Sequence, residues 1–567
     1  MELDVAIIGG GPAGSTTGTL IKKYNPAISV GIFEKEVFPR DHIGESMLPG
    51  ISSVLHEMGV WDTVEAANFP IKIGSTNRWG KKPELWDFEF FPSNLFVDEP
   101  RPAKYEGQRR GTAFQVDRSI YDKILLDHAE SRGAVVRQGT RAAKVHRQGD
   151  RVTAIELATG EMVQAKHYVD ASGHVGVIRR AMGVNMDCPT TLQNVAFWDY
   201  WQNAEWAVKI GIGGTKIQVM SLGYGWLWFI PLGPTRTSIG LVVPASYYKN
   251  SGRRPEDLYL EAVATEERIA ALTKNATREH KFTTTKDWSF LSERQCGDNW
   301  FLAGESAGFA DPILSAGMTM AHAAGRELAY TLLEIERGNK RVQWLKDEFA
   351  IRQSQRVRTH MRFAEFWYSA NAQFSDLQDF TKQLAHDVGL DLTPESAWRW
   401  IAQGGFVDER LSFGVGGFTL NSIKTLGSVL SDVEATSPFQ SNNVFKLNLA
   451  GASWRDRAQY RDGRVFPTQS YTRDGRTLPI DGACQIVVDL LQRTSDVVSL
   501  FEMLRRSIQN DFEDMGQQNR AMVEVVQALE AMTNDGWVDA SFNPQRPLMN
   551  VSYLDQSILP NQDPPIQ

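Results

Sequence analysis

Cysteine is nearly absent from this sequence. Three residues in 567, Cys188, Cys296 and Cys484, are too few and too scattered for a disulfide framework or a thiolate metal site. That scarcity fits a reducing compartment, and the cytoplasm is the expected location. No stretch approaches the roughly 18 consecutive apolar residues a spanning helix needs. The chain opens directly into "LDVAIIGGGPAGS", a buried-strand pattern rather than the charged and apolar regions of a secretory leader. Basic runs are missing as well. The 60 Lys and Arg stand against 68 Asp and Glu for a net charge of -8, so neither nucleic acid nor a membrane is an expected partner.

What is present is length and apolar content. With 567 residues, 42% of them hydrophobic, the chain can bury more than one core, and two or three lobes are expected. The opening carries the first chemical signal. Val5 to Ile8 read as a parallel-sheet strand, Gly9-Gly10-Gly11-Pro12-Ala13-Gly14 as G-x-G-x-x-G, and Ala13 onward as a helix. "SVGIFEKE" then supplies a second strand ending at Glu34. Gly9 makes the tight turn, Gly11 lets the backbone approach a pyrophosphate at the helix N-terminus, and Gly14 lets helix and strand pack closely. Glu34 can accept from ribose hydroxyls. Strand, loop, helix, strand and acid in that order predict a Rossmann-type dinucleotide site.

Two later stretches narrow the dinucleotide. "YVDASGHVG" (168–176) looks like a strand running into a small-residue turn. "NWFLAGESAGFADPILSAGM" (299–318) looks like a strand, a Gly-acid turn, a loop and a helix start. With the first motif they resemble the flavoprotein family that shares its fold with the aromatic hydroxylases, in which the Gly-acid pair binds the ribityl chain of FAD. Glu305 stands where that family usually has Asp. "DRSIYDKILLDHA" is similar to the family's arginine-bearing helix, so the resemblance implies that Arg118 reaches the flavin; read alone, Arg118 could equally be a solvated surface residue.

"LGYGWLWFIPLG" (222–233) places Trp226 and Trp228 one residue apart in a strand-like run, where alternate side chains share a face. Core packing alone could account for such a pair. Trp226-Leu227-Trp228-Phe229-Ile230-Pro231 nevertheless matches the W-x-W-x-I-P signature of flavin-dependent halogenases. "FPRDHIGESMLPG" (38–50) resembles the segment that wraps the isoalloxazine in those acting on phenols, which implicates Arg40 and Ser46 in FAD binding. "FADPILSAG" (309–317) resembles their F-x-x-P-x-x-S-x-G loop, and "KDWSF" a strand of the chloramphenicol-type enzyme, in which an aspartate links covalently to the flavin. Asp287 holds that place; it could also simply cap a turn. The resemblance covers residues 1–338 well and the rest poorly.

The halogenases carry an active-site lysine shortly after the first long helix, and "NFPIKIGSTNRWG" puts Lys72 there. A lysine is ordinarily a solvated surface charge. Flanked by Ile71 and Ile73, Lys72 is expected to be buried, with a lowered pKa that suits a donor or a nucleophilic amine. The resemblance implies that reduced FAD and dioxygen form a C4a-hydroperoxide, that chloride or bromide attacks it, and that Lys72 aims the resulting hypohalous species at one ring carbon. Trp226 and Trp228 would wall the substrate off from the flavin, and the amides of Ala316 and Gly317 would hold the halide, with Gly317 also binding the flavin at the start of its helix. Valine at Gly317 would be costly if the backbone there needs positive φ. Tryptophan halogenases have glutamate where this chain has Leu314, so a phenolic or similarly electron-rich aromatic is expected, free or tethered to a carrier protein.

No second dinucleotide fingerprint follows a strand; "GVGGF" (414–418) sits in a loop context. A separate flavin reductase is therefore the expected source of reduced FAD. From about Val342 the pattern turns helical: "MRFAEFWYSANAQF", "LTPESAWRWIAQGG" and "DVVSLFEMLRRSIQNDFEDM". No metal-ligand spacing or Ser-His-Asp set appears there. "AMVEVVQALEAMTNDGWVDASF" resembles a winged-helix end, and "ILPNQDPPIQ" is expected to be extended. The expected fold class is α/β: an FAD and halogenase core over 1–340 with interleaved FAD and substrate-side sheets, then a mainly helical domain over 341–567 covering the substrate pocket. A single-component NAD(P)H-dependent aromatic hydroxylase and a non-catalytic flavin-binding protein remain as alternatives.

Overall fold

Val5 to Ile8 are at most 4% exposed, and they form the end of a strand, Glu2–Ile8, that stops at Gly9. Proline then occupies the first turn of helix Pro12–Tyr24, where its missing N–H costs nothing, and Lys22 and Lys23 close the last turn on the favourable side of the helix dipole. Val30–Phe33 returns as a parallel neighbour. A computed structural model describes residues 1–188, 192–205, 214–379, 381, 437–474, 476–511, 515–549 and 558–561. "LTPESAWRWIAQGG" and "GVGGF" lie outside those residues.

The first sheet runs in the order Val135–Arg137, Val30–Phe33, Glu2–Ile8, Met162–Asp170, all parallel, with Trp300–Leu302 also parallel to Met162–Asp170. The antiparallel strands Arg151–Leu157 and Ala142–Gln148 extend it. This is a Rossmann-type α/β arrangement. Its first helix packs against the long helix Gly317–Arg337, and Gly325 permits the approach, because a Cβ there would crowd the carbonyl of Ala13.

Among the described residues the second sheet has ten strands, built from segments that alternate along the chain with those of the first. Its central order is Gln193–Gln202, Arg236–Pro244, Gly225–Pro231, Gly214–Leu222, Ile71–Arg78, Trp86–Glu89 and Ile558–Pro560. One face carries Met220, Leu227, Phe229, Ile239 and Leu241 into an apolar core with Leu258, Tyr259, Ile269 and Leu272, which come from helices Pro255–Thr265 and Glu267–Thr273. The other face carries the tryptophan pair.

The chain divides into two compact units, one of Met1–Gly389, Tyr460–Val465 and Ser557–Gln567 and one of Leu390–Gln459 and Phe466–Gln556. Helix Val342–Ser369 thus belongs to the first unit, so the units do not part at residue 340. A buried stripe along that helix explains the difference: Phe349, Met361, Phe366 and Trp367 are each at most 3% exposed. The second unit is not purely helical. Helices Gly482–Leu491, Val497–Asp511 and Met515–Asn534 share a core of Phe445, Val487, Leu504, Leu529 and Trp537 with the strand pair Val444–Leu447 and Val538–Ser541. A meander, Ser453–Arg461, Arg464–Arg473 and Arg476–Pro479, adds further strand apart from residues 460–465, which count with the first unit. Among the described residues no helix is long and apolar enough to cross a membrane.

Candidate active site

The glycines of the first loop are not equivalent. Gly9 has φ of 105°, and a Cβ there would strike the carbonyl of Ala171; a Cβ at Gly14 would strike the carbonyl of Gly9. A Cβ at Gly11 would meet nothing nearer than the Arg40 guanidinium, at 4.0 Å. Gly9 and Gly14 are closed in by backbone, while Gly11 leaves open space at the helix N-terminus, where a pyrophosphate would lie. Glu34, 5% exposed, is fixed at the end of its strand by the amides of Gly10 and Glu36, at 2.8 and 2.9 Å. Gly304 has φ of 66° and abuts Ala13, so the Gly304–Glu305 turn sits beside the first helix, with Glu305 close to Gly173.

Arg118 is not a surface residue. It is 5% exposed, grips both oxygens of Asp122 at 2.7 and 2.8 Å, and donates to the carbonyls of Ile43 and Gly44. Arg40 also ion-pairs with Asp122, at 3.2 Å. The 40–46 segment is thereby tied to helix Arg118–Ser131. Ser46, 7% exposed, leaves its hydroxyl without a partner among the described residues. The open space at Gly11 and the orphaned hydroxyl of Ser46 fit a bound flavin dinucleotide. Asp287 lies in strand Thr283–Trp288 opposite Asn194, rather than at the start of a turn; its side chain lies outside the described residues.

Lys72 belongs to strand Ile71–Arg78 and stands opposite Thr215 in parallel register. The register slips at once: the next pair is Gly74 with Lys216. Beyond this bulge, Ser75 and Asn77 share a face with Ile217 and Val219, and Val219 is opposite Trp228. Because Thr215 shares that parity, the bulge turns Lys72 onto the face of Trp226 and Trp228. Its ammonium lies 5.8 Å from the Phe90 ring centroid. Lys72 is 2% exposed, no hydrogen-bond acceptor or carboxylate among the described residues meets it, and burial alone lowers its pKa to about 7. Lys216, one residue along and on the opposite face, binds Asp87 and Glu89 at 2.8 and 2.6 Å, which hold its pKa up.

The two indoles are 6.1 Å apart and buried. Trp228 lies over Gly240, where a Cβ would strike the ring, and donates to Ser238 at 3.1 Å. Trp226 donates to the Tyr368 hydroxyl at 2.7 Å; Tyr368 donates to Asp311 at 3.2 Å; and Asn194 reaches both Tyr368 and Asp311 at 3.2 Å. Burial raises the Asp311 carboxyl to about 7, against the lowering by its hydrogen bonds. Asp311 also caps the turn Pro312–Leu314. The tryptophan strand is thus linked to the loop that leads into helix Gly317–Arg337. On that loop the positive φ falls on Ser315, at 53°, and Gly317 is helical, so the strained position is two residues earlier. The amides of Ala316 and Gly317 bond to no acceptor among the described residues. Leu314 is buried.

Sequence reasoning missed Tyr368, Asp311 and Glu45. Glu45 is 2% exposed beside Ser238 and Tyr200, and burial raises it to about 7 despite those hydrogen bonds. Glu45 and Asp311 sit within quoted motifs, so the signal was a carboxylate among apolar neighbours; Tyr368, in a helix read only as aromatic, gave none. Among the described residues no group of three or more His, Cys, Asp or Glu is placed to hold a metal.

The FAD binding domain family matches residues 2–364. The chain is 33% identical over 353 residues to 1H-pyrrole-2-carbonyl-(peptidyl-carrier protein) chlorinase of Pseudomonas fluorescens, covering 60% of this chain and 77% of that one. It is 32% identical over 325 residues to tryptophan 2-halogenase of Chondromyces crocatus, covering 56% and 58%. The fold is similar to that of the flavin-dependent halogenase CmlS, with a TM-score of 0.70, 24% identity and coverage of 98% and 99%. The chondrochloren halogenase CndH gives 0.60, 28% identity and coverage of 76% and 96%. The chain belongs to the FAD-binding-domain proteins and, within them, to the flavin-dependent halogenases.

Proposed function

We propose that this enzyme chlorinates or brominates an electron-rich aromatic ring, phenolic or pyrrole-like, and that Lys72 directs the halogen. The observation that carries this reading is the buried ammonium with no anionic partner among the described residues, turned by a bulge onto the tryptophan face. A hydroxylase has no use for such a group.

Reduced FAD with dioxygen supplies, when bound, the oxidising equivalent that turns halide into hypohalous acid. Gly9, Gly11, Pro12, Ala13, Gly14, Glu34, Arg40, Ser46, Arg118 and Glu305 would hold the cofactor. Ala316 and Gly317 present amides with no acceptor among the described residues at a helix N-terminus, which suits a halide. Trp226 and Trp228 keep the organic ring away from the flavin. At Lys72, the ammonium donates to the oxygen of the hypohalous acid. The ring carbon attacks the halogen, the halogen–oxygen bond breaks, and the departing hydroxide takes the lysine proton to give water. The neutral amine then accepts the ring proton, which restores the ammonium. A pKa of about 7 suits both transfers.

Leu314 removes the carboxylate that would stabilise an unactivated ring, which favours a phenol or pyrrole as substrate. A relative that chlorinates a carrier-bound pyrrole supports a tethered substrate as well as a free one. A separate reductase is the proposed source of reduced FAD. The test supplies chemically reduced FAD, oxygen and bromide or chloride with a panel of phenols and pyrroles, free and carrier-bound, and reads products by mass. Halogenated products are expected, and hydroxylated products alone would favour a hydroxylase.

A further inference from the structure

Four buried polar residues, Lys72, Thr215, Gln115 and Ser46, stand at neighbouring register positions where strand Ile71–Arg78 begins. Ala113 is opposite Lys72 on one edge and Thr215 is opposite it on the other. Gln115 follows two residues after Ala113, its amide bonded to the carbonyl of Pro70, and so shares the face of Lys72. The Gln115 side chain crosses the strand on that face: its Nε2 donates to Thr215 Oγ1 at 2.5 Å, and Thr215 donates in turn to the carbonyl of Ile71 at 2.8 Å. Ser46 is bridged to Gln115 from the segment that resembles the flavin wrap. Gln115 is fully buried, Ser46 and Thr215 are 7% and 6% exposed, and Lys72 is 2% exposed.

Two atoms of this cluster have no partner among the described residues: Gln115 Oε1 and Ser46 Oγ. A buried amide oxygen left unmade costs about 1–3 kcal/mol, which is a reason to expect a ligand there. Thr215 fixes which end of the amide is free. Nε2 is committed as donor, so the free end is an acceptor. Lys72 offers only donors while protonated. A small neutral molecule that both donates and accepts through one oxygen satisfies both groups at once, and hypohalous acid has that form.

We propose that Gln115 is a binding residue for hypohalous acid, its Oε1 accepting the acid's O–H while Lys72 donates to the same oxygen, with Ser46 marking the flavin-side approach. This rests on the halogenase reading above. The two contacts occupy the oxygen and its proton and leave the halogen atom free to face the substrate. Without Gln115 the acid has one tether instead of two, and more of it escapes to solvent.

The experiment uses the full-length enzyme loaded with reduced FAD, then mixed with oxygen, bromide, a phenolic substrate found in the panel and a cyclic 1,3-diketone that traps free hypobromite. Wild type, Gln115→Met and Gln115→Glu are compared for flavin binding, flavin reoxidation rate and the ratio of trapped to substrate-bound bromine. Methionine keeps length and volume but replaces the amide oxygen with a thioether sulfur, only a weak acceptor; glutamate restores the oxygen acceptor. The expected result is a rise of about tenfold or more in that ratio for Gln115→Met, with reoxidation within about twofold of wild type and recovery in Gln115→Glu. Should Gln115→Met not fold, Gln115→Asn, which withdraws the oxygen by one methylene, is expected to raise the ratio in the same way. An unchanged ratio in a folded variant overturns the inference, as does equal leakage from Met and Glu, or loss of flavin binding with the ratio unaltered. A wild type that halogenates nothing removes the halogenase reading itself, and the inference with it.

Discussion

Lys72 stands opposite Thr215 across a parallel strand pair, and the register slips immediately after them. That slip separates Lys72 from Lys216, a lysine of equal sequence polarity that ends in an ion-pair cluster on the other face. Burying an ammonium without a counter-charge is costly, so the site is bought with stability. Lys72 is lowered from 10.5 to about 7. Between those values the unfolded chain holds a proton that the folded chain does not, so stability rises with pH across that window. Lys72→Met is expected to stabilise the protein by on the order of a few kcal/mol below about pH 7, the gain shrinking toward pH 10. Thermal or urea melts at pH 6 and pH 9 measure it. A gain independent of pH would show that Lys72 is not the titrating group.

The Trp226–Tyr368–Asp311 chain of hydrogen bonds yields a second expectation. Tyr368→Phe removes the acceptor of a buried indole and a donor to a buried carboxyl, at a cost of about 1–3 kcal/mol. Asp311, already raised to about 7, should rise further, because the lost hydrogen bond was lowering it. Denaturant midpoints for wild type and variant check the cost, and an unchanged midpoint would mean that the network is not formed.

The loop glycines should respond differently to alanine. Gly14→Ala forces a Cβ into the Gly9 carbonyl and should impair folding as well as FAD binding. Gly11→Ala places its methyl in open space, so the melting temperature should hold while FAD affinity falls at least about tenfold, a change of about 1.4 kcal/mol. Flavin fluorescence titration reads the affinity, and equal affinity in Gly11→Ala would move the pyrophosphate elsewhere.

At the helix start, Gly317→Val meets no backbone penalty, because Gly317 is helical and the nearest neighbour of its Cβ is Phe309, at 3.8 Å. The variant should fold, bind FAD and consume oxygen, yet need several-fold more halide and release hydrogen peroxide in place of product. Ser315→Val, at φ of 53°, should instead lose about 1–2 kcal/mol of stability. Titrating halide while following peroxide decides the first point; an unchanged halide dependence would place the anion elsewhere.

Local patterns in the sequence carried much of this. The glycine loop, Glu34, the tryptophan spacing and the buried lysine are each read from neighbours within a dozen residues, and strand alternation sends Leu227 and Phe229 to the core and the two indoles to the other face. What was illegible depends on pairing between distant segments. The bulge that aims Lys72 exists only in its register with Gly214–Leu222, some 140 residues away. Tyr368 joins Trp226 across a comparable distance. Helix Val342–Ser369 looked like the start of a new domain because its pattern changes there, although its buried face completes the first unit.

The central claim is that Lys72 acts on the oxidised halogen after the flavin has done its part. A single-turnover comparison of wild type and Lys72→Met, each loaded with reduced FAD and mixed with oxygen, bromide and an aromatic substrate, tests it most directly. Flavin reoxidation is expected to agree within about twofold, while halogenated product falls by at least about a hundredfold, the scale of one positioned proton-transfer group. Retention of regioselective product in Lys72→Met at more than a small fraction of the wild-type yield would contradict the account.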